Sequence, residues 1–233
     1  MNIVQHASPN MSKGRQGWTP DFIVCHITEG AFAGTVSWIT NPASQVSYHY
    51  VVARNGQITQ AVDISNTAWA NGTNNSTDNR GNQHSQLVAV RERRVNANLF
   101  TISIGFEGRL AETGGRLAET QLNAAVWLID NIQGAVWQRY QTEILLDNIV
   151  GHAHITPRWK PNCPGAGFPF EEIAKQLRQP AIAGNNSPSR WATEAWEWAI
   201  KHRITDGTNP HATPTREQVV QLLYNYHKCL PPA

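Results

Sequence analysis

The chain has no apolar run long enough to cross a bilayer, and residues Met1 to Asn10 show no basic segment followed by an apolar one. A membrane-embedded protein and a signal-led secreted one are therefore not expected, and the sequence reads as one made in the cytoplasm. Cysteine is scarce: Cys25, Cys163 and Cys229 form an odd set without framework spacing. That excludes a disulfide-stapled fold and favours a reducing compartment. Charge is scarce too, at 15% of residues with a formal net charge of +2. So mild a bias gives no reason to expect a nucleic-acid partner, although a slight positive excess suits an anionic polymer.

Tryptophan is abundant, with nine in 233 residues. Core packing accounts for most of them; carbohydrate or peptide surfaces are the other common use. The length allows one good-sized core plus a small appendage.

Residues 21–28 read as a buried strand, and Ala31 to Thr40 as a helix closed by Asn41-Pro42. Val46–Ala53 and Gly56–Val62 flank Arg54-Asn55-Gly56, a hairpin signal. The polar stretch 71–86 is a long loop of the kind that often carries function. Phe100 to Glu107 alternates as a strand, and Leu122, Ala125, Val126, Ile129 and Ile132 mark a helix from Glu119 to Trp137. A short strand, Asn148 to Gly151, delivers His152, and a helix from Phe170 to Leu177 stops before Pro180. This order predicts an α/β (α+β) domain with a mixed central β-sheet flanked by helices over residues 1–179. A linker follows at 180–188. Residues 189–233 then form a small helical hairpin, with Thr215 and Gln218 in capping-box register around a turn at Thr205-Asp206-Gly207.

The chemistry gathers at strand ends. His152 and Cys163 bracket a short loop, and His26 ends the apolar run Phe22 to Cys25. Two imidazoles and a thiolate suit Zn2+ with one place left open, and a net positive centre of that kind acidifies water. Glu107, at the end of its strand between Phe106 and Gly108, is the candidate proton acceptor. Tyr48 and Lys160 are candidates to polarise a carbonyl and hold an oxyanion. His49 points away from Tyr48 on an alternating strand and reads as a packed residue. His154 reads as a hydrogen-bonding neighbour of His152.

The segments Val24–Thr28, Ser47–Val52 followed by Arg54-Asn55-Gly56, Thr67–Gly72, Ser103–Gly108, and Gly151-His152 through Cys163-Pro164-Gly165 resemble, in this order, the motifs of the type 2 N-acetylmuramoyl-L-alanine amidases. That family includes phage endolysins and is related to the animal peptidoglycan recognition proteins. The resemblance spans roughly residues 20–178. It implies one zinc ion on His26, His152 and Cys163, water activation by Glu107, and cleavage of the amide between N-acetylmuramic acid and L-alanine in peptidoglycan. Trp69, Asn71 and Arg158 fall on the substrate side of these motifs. Two residues, Pro161 and Asn162, separate Lys160 from Cys163 where many members have one. Arg158 is thus the alternative to Lys160 as oxyanion partner. Ala70-Asn71 stands where many members carry a histidine.

The C-terminal hairpin resembles a single S-layer-homology repeat, which implies contact with a secondary cell-wall polymer. The expected role is that of a phage or prophage endolysin reaching the wall through a holin. The alternative is a non-catalytic peptidoglycan-binding protein.

Overall fold

Six buried residues in succession, Phe22–Ile27, form strand β3, and their unbroken burial marks a strand covered on both faces. The computed structural model describes residues 1–72, 83–178, 188, 192–208, 210, 212 and 214–229. Most of the polar loop 71–86, the linker apart from Pro188, and Trp191 lie outside the described residues. The chain divides into two compact units, Met1–Ala174 and Lys175–Ala233, so the division falls inside a helix a few residues before position 179.

In the first unit, β3 pairs in parallel with β7 (Thr101–Phe106) on one side and with β8 (Ile149–Gly151) on the other. On the far side of β7 lies β4 (Tyr50–Val52), parallel to it and antiparallel to β5 (Ile58–Gln60). The β4–β5 turn closes through Ala53 and Gly56, whose φ of 85° is open to glycine without strain. β1 (Ile3–Gln5) adds in parallel to β5 and completes a six-stranded mixed sheet in the order β1-β5-β4-β7-β3-β8. A separate ribbon joins β2 (Met11–Ser12) to β6 (Thr67–Ala68).

The helices of this unit are α1 (Phe32–Thr40), α2 (Val88–Arg93), α3 (Leu110–Thr113), α4 (Glu119–Tyr140), α5 (His152–Ile155) and α6 (Phe170–Arg178). On α4 the buried stripe runs through Ala124, Ala125, Leu128, Ile129, Ile132 and Val136, while Leu122 and Val126 stay half-buried. Each large side chain on that stripe contributes about 1.5–3 kcal/mol by leaving water. Gln121 is buried on the same stripe, and its amide donates to the carbonyls of Val52 (3.0 Å) and Glu107 (3.1 Å). The helix thereby fixes the ends of β4 and β7.

The N-terminal segment is held by a buried cation. Arg15 donates to the carbonyls of Ile64 (2.7 Å), Leu99 (2.9 Å) and Thr101 (3.2 Å). Burial lowers its pKa to about 10, so it keeps its charge at neutral pH.

In the second unit, α7 (Thr193–Lys201) and α8 (Arg216–Cys229) are joined through Gly207, at φ 81°. Thr215 and Gln218 exchange the two bonds of a capping box: the Thr215 N–H donates to Gln218 Oε1 at 2.8 Å, and the Gln218 N–H to Thr215 Oγ1 at 3.2 Å. Asn225 on α8 donates to the Ile204 carbonyl (3.1 Å) and ties the helix to the turn.

Candidate metal centre and its groove

Parallel neighbours end at the same edge of a sheet, and β3 and β8 bring His26 and His152 together there. Their Nδ1 atoms are 3.0 Å apart and their ring centroids 4.4 Å apart. Cys163 returns to them on a pinned turn. Lys160 N–H donates to the Thr156 carbonyl (3.0 Å), and Ala153 N–H donates to the Cys163 carbonyl (2.8 Å). Only glycine fits just beyond: Gly165 has φ 115°, and a Cβ there would sit 2.5 Å from the Gly114 carbonyl oxygen. One donor atom from each of His26, His152 and Cys163 lies within 4.8 Å of the other two.

Burial holds both imidazoles neutral. His26 falls well below its ordinary value through desolvation first, then through His152, Lys160 and His49. His152 is lowered to about 4 by desolvation, with the Asn71 backbone opposing and Lys160 assisting. The Cys163 thiol is raised to about 11 by burial, with Glu29 pushing it further up and the Ile27 backbone and Lys160 pulling it down. His26 Nε2 is buried without a hydrogen-bond partner. Two neutral imidazoles and a thiol at this separation fit a zinc-type cation: tetrahedral Zn–N bonds of about 2.0–2.1 Å set two nitrogens a little over ~3 Å apart. Cys25, though adjacent in sequence, is not in the donor set.

Tyr48 covers the centre from the segment just before β4, which begins at Tyr50 rather than at the expected Val46. Gly105 is opposite His26 in the sheet register, and a Cβ at Gly105 would lie 2.9 Å from the Tyr48 ring. The tyrosine ring therefore occupies the space a side chain there would take, 5.1 Å from the His26 ring. Burial, and then Cys163, push its phenol well above the ordinary range, which keeps it a proton donor.

The donor set opens into a cavity of about 1010 Å³ whose walls include Tyr48, Trp69 and Lys160. Trp69 is oriented by its indole N–H, which donates to Ser12 Oγ at 3.0 Å.

Three expected site residues lie elsewhere. Glu107 does not line the cavity. Its Oε1 accepts from the Phe32 N–H (3.0 Å) and its Oε2 from the Arg54 N–H (2.7 Å). Glu107 shares a face with Gly105 but lies one step beyond β7, level with the first turn of α1, whose free N–H groups and positive end attract a carboxylate. The Asn71 side chain is fully buried and turned away, its amide donating to Thr101 Oγ1 (2.9 Å) while its backbone N–H donates to Asn98 Oδ1 (3.0 Å); only its backbone acts on His152. Arg158 is exposed, pairs with His84 Nε2 at 3.2 Å, and is absent from the cavity wall that holds Lys160.

The two ambiguous histidines are both engaged. His49 is buried, accepts from the Ser103 N–H at Nδ1 (3.0 Å), and faces Arg15 and the Asn66 carbonyl. His154 Nδ1 accepts from the Gly151 N–H at 2.9 Å.

Sequence reasoning missed Glu29, Trp38 and Trp159, all on the cavity wall. Trp38 and Trp159 are 56% and 54% exposed, a large apolar cost for core residues. Glu29 has φ 56°, a left-handed conformation that costs a side chain on the order of 1 kcal/mol or more.

A mixed sheet whose strand ends open a groove onto two imidazoles and a thiol defines a protein with a three-donor group that could hold a metal ion. Residues 16–166 match the family model for N-acetylmuramoyl-L-alanine amidase, and the chain belongs to that family. It is 30% identical over 161 residues to N-acetylmuramoyl-L-alanine amidase A of Achromobacter lyticus, covering 64% of this chain and 77% of that protein. It is 27% identical to the 1,6-anhydro-N-acetylmuramyl-L-alanine amidase AmpD of Haemophilus influenzae, over 58% of this chain and 60% of that protein. Among solved structures, an AmpD derivative superposes with a TM-score of 0.50 at 22% identity, covering 75% of this chain and 93% of that one. PlyL gives 0.52 at 18% identity, covering 77% and 98%. These two likenesses show the fold.

Proposed function

We propose that the protein hydrolyses the amide between the lactyl group of N-acetylmuramic acid and L-alanine in bacterial peptidoglycan, with zinc on His26, His152 and Cys163. The observation that carries this reading is the convergence of those three donors within 4.8 Å at the floor of an open groove. Relatives named for this amidase activity support it.

When bound, zinc would supply Lewis acidity, drawing electron density from the scissile carbonyl and making water easier to deprotonate. The chain does the rest. Burial keeps His26 and His152 neutral, so their lone pairs are available at neutral pH. Tyr48 stays protonated and offers a hydrogen bond to the developing oxyanion. Lys160, on the same wall, brings the positive charge that also depresses both histidines. Trp69 provides a flat apolar surface for substrate.

Digestion of purified walls tests the reading. Newly exposed L-alanine amino termini without new reducing sugar ends support it; their absence with zinc bound refutes it. The protein's role as a phage or prophage endolysin, reaching the wall through a holin, is part of the same proposal and rests on the sequence resemblance. Lysis from within should then require opening of the membrane. We further propose that the second unit contacts a secondary wall polymer.

One observation favours a second reading, a non-catalytic peptidoglycan-binding protein: Glu107, the expected proton acceptor, is committed to backbone N–H groups. Under that reading Cys163→Ala binds walls as the wild type does, and there is no cleavage to lose.

A further inference from the structure

We infer that two copies of this chain pair through α8, packed antiparallel about a two-fold axis, a reading independent of the amidase proposal. The contacts of α8 settle which face looks inward. Asn225 donates to the Ile204 carbonyl (3.1 Å), the Cys229 thiol to the His202 carbonyl (3.0 Å), and the Tyr226 ring lies 6.4 Å from that of Trp198. The opposite face carries Val220, Leu223, Tyr224 and His227, at the i, i+3, i+4, i+7 spacing of a helix–helix seam. Val220, Leu223 and Tyr224 are 65%, 62% and 52% exposed there. No residue of α8 is buried, so covering this stripe adds apolar burial that the unit does not supply for itself.

Charge names the occupant. Glu217 and Lys228 stand on one flank of the stripe, near opposite ends of the helix. Lys228 lies along that flank, its Nζ 4.5 Å from the centroid of the Tyr224 ring. An antiparallel partner brings like flanks together with their ends exchanged, so Glu217 meets Lys228 of the partner subunit, and the two-fold axis makes the contact twice. Within one chain the two residues are about 16 Å apart along the helix axis and do not pair. A lipid surface fits less well: residues 193–229 carry four acids and four bases, with no net charge to draw them to anionic headgroups.

Sedimentation equilibrium of the full-length protein from roughly 1 to 100 µM tests this, a range suited to a contact at the small end of stable interfaces. The mass should climb from 25.9 kDa toward twice that value. Leu223→Glu should weaken association by at least roughly 100-fold, since each dimer buries that side chain twice, while circular dichroism shows wild-type helix content. Glu217→Lys and Lys228→Glu should each weaken it by roughly threefold to tenfold, and the double variant should recover the wild-type constant to within about threefold. A wild type that stays monomeric across that range overturns the inference, as does a dimer untouched by Leu223→Glu. Single charge reversals that the double variant does not rescue overturn the antiparallel pairing. A monomer that binds anionic vesicles or wall polymer, and loses that binding in Leu223→Glu, gives the stripe to another occupant and overturns the inference too.

Discussion

His26 and His152, 126 positions apart in the chain, place their Nδ1 atoms 3.0 Å from each other at the ends of two parallel strands. Burial keeps both rings neutral, so both Nδ1 lone pairs are available to a single cation at neutral pH.

Zinc binding should release about one proton near neutral pH, because the Cys163 thiol, raised to about 11, must become a thiolate while the histidines are already neutral. Calorimetry in two buffers of different ionisation enthalpy measures the release. Cys163→Ala should abolish it and weaken zinc binding by several orders of magnitude.

Glu107→Ala should destabilise the protein by about 1–3 kcal/mol, since it leaves the Phe32 and Arg54 N–H groups without their acceptor. Urea unfolding checks this. A loss of activity with unchanged stability would return Glu107 to the chemistry.

Gly105→Ala should move Tyr48, because the new methyl would lie 2.9 Å from its ring. Activity should fall by roughly tenfold or more while zinc stoichiometry holds, since removing an oxyanion donor costs about 2.7–4 kcal/mol and a displaced one less. Zinc content and kcat measured on the same sample separate the two effects.

Acid should destabilise the protein through His49. Burial and Arg15 lower its pKa from 6.5 to about 3. Above 6.5 neither state is protonated and the stability is fully present. As pH falls from 6.5 toward 3 the unfolded chain takes up a proton that the native state refuses, and stability drops by up to about 1.4 kcal/mol per pH unit. Denaturant unfolding at a series of pH values should show this slope, and His49→Gln should reduce it by the one proton His49 contributes, leaving the part due to His26 and His152.

Much of the fold was legible because its signals are local. The unbroken run Phe22–Ile27 predicts a buried strand, Asn55-Gly56 a hairpin, and Thr215 with Gln218 a helix start, and each is found there. β1 and β2 were not legible: they are two or three residues long, and their partners Ile58–Gln60 and Thr67–Ala68 lie far along the chain. The buried stripe of α4 was read slightly rotated because Gln121, a polar residue, belongs to it. In the site, the pattern of alternation shows that positions 105 and 107 share a face but not which of them reaches the groove. Tyr48 fills the space at 105, and the start of α1 captures the carboxylate at 107. Asn71 looks like a groove residue by its neighbours in sequence, but it turns inward to Thr101. Trp38 and Trp159 read as core because tryptophan usually is; only their exposure on the cavity wall separates them from the rest.

The most direct test of the central claim is chemical analysis of purified peptidoglycan after incubation with the zinc-loaded protein, with and without a chelator. The account predicts new L-alanine amino termini in step with the loss of wall turbidity, no new reducing sugar ends, and loss of both signals on chelation with recovery when zinc is restored. New reducing ends without amino termini, or amino termini released equally by the chelated protein, would contradict it.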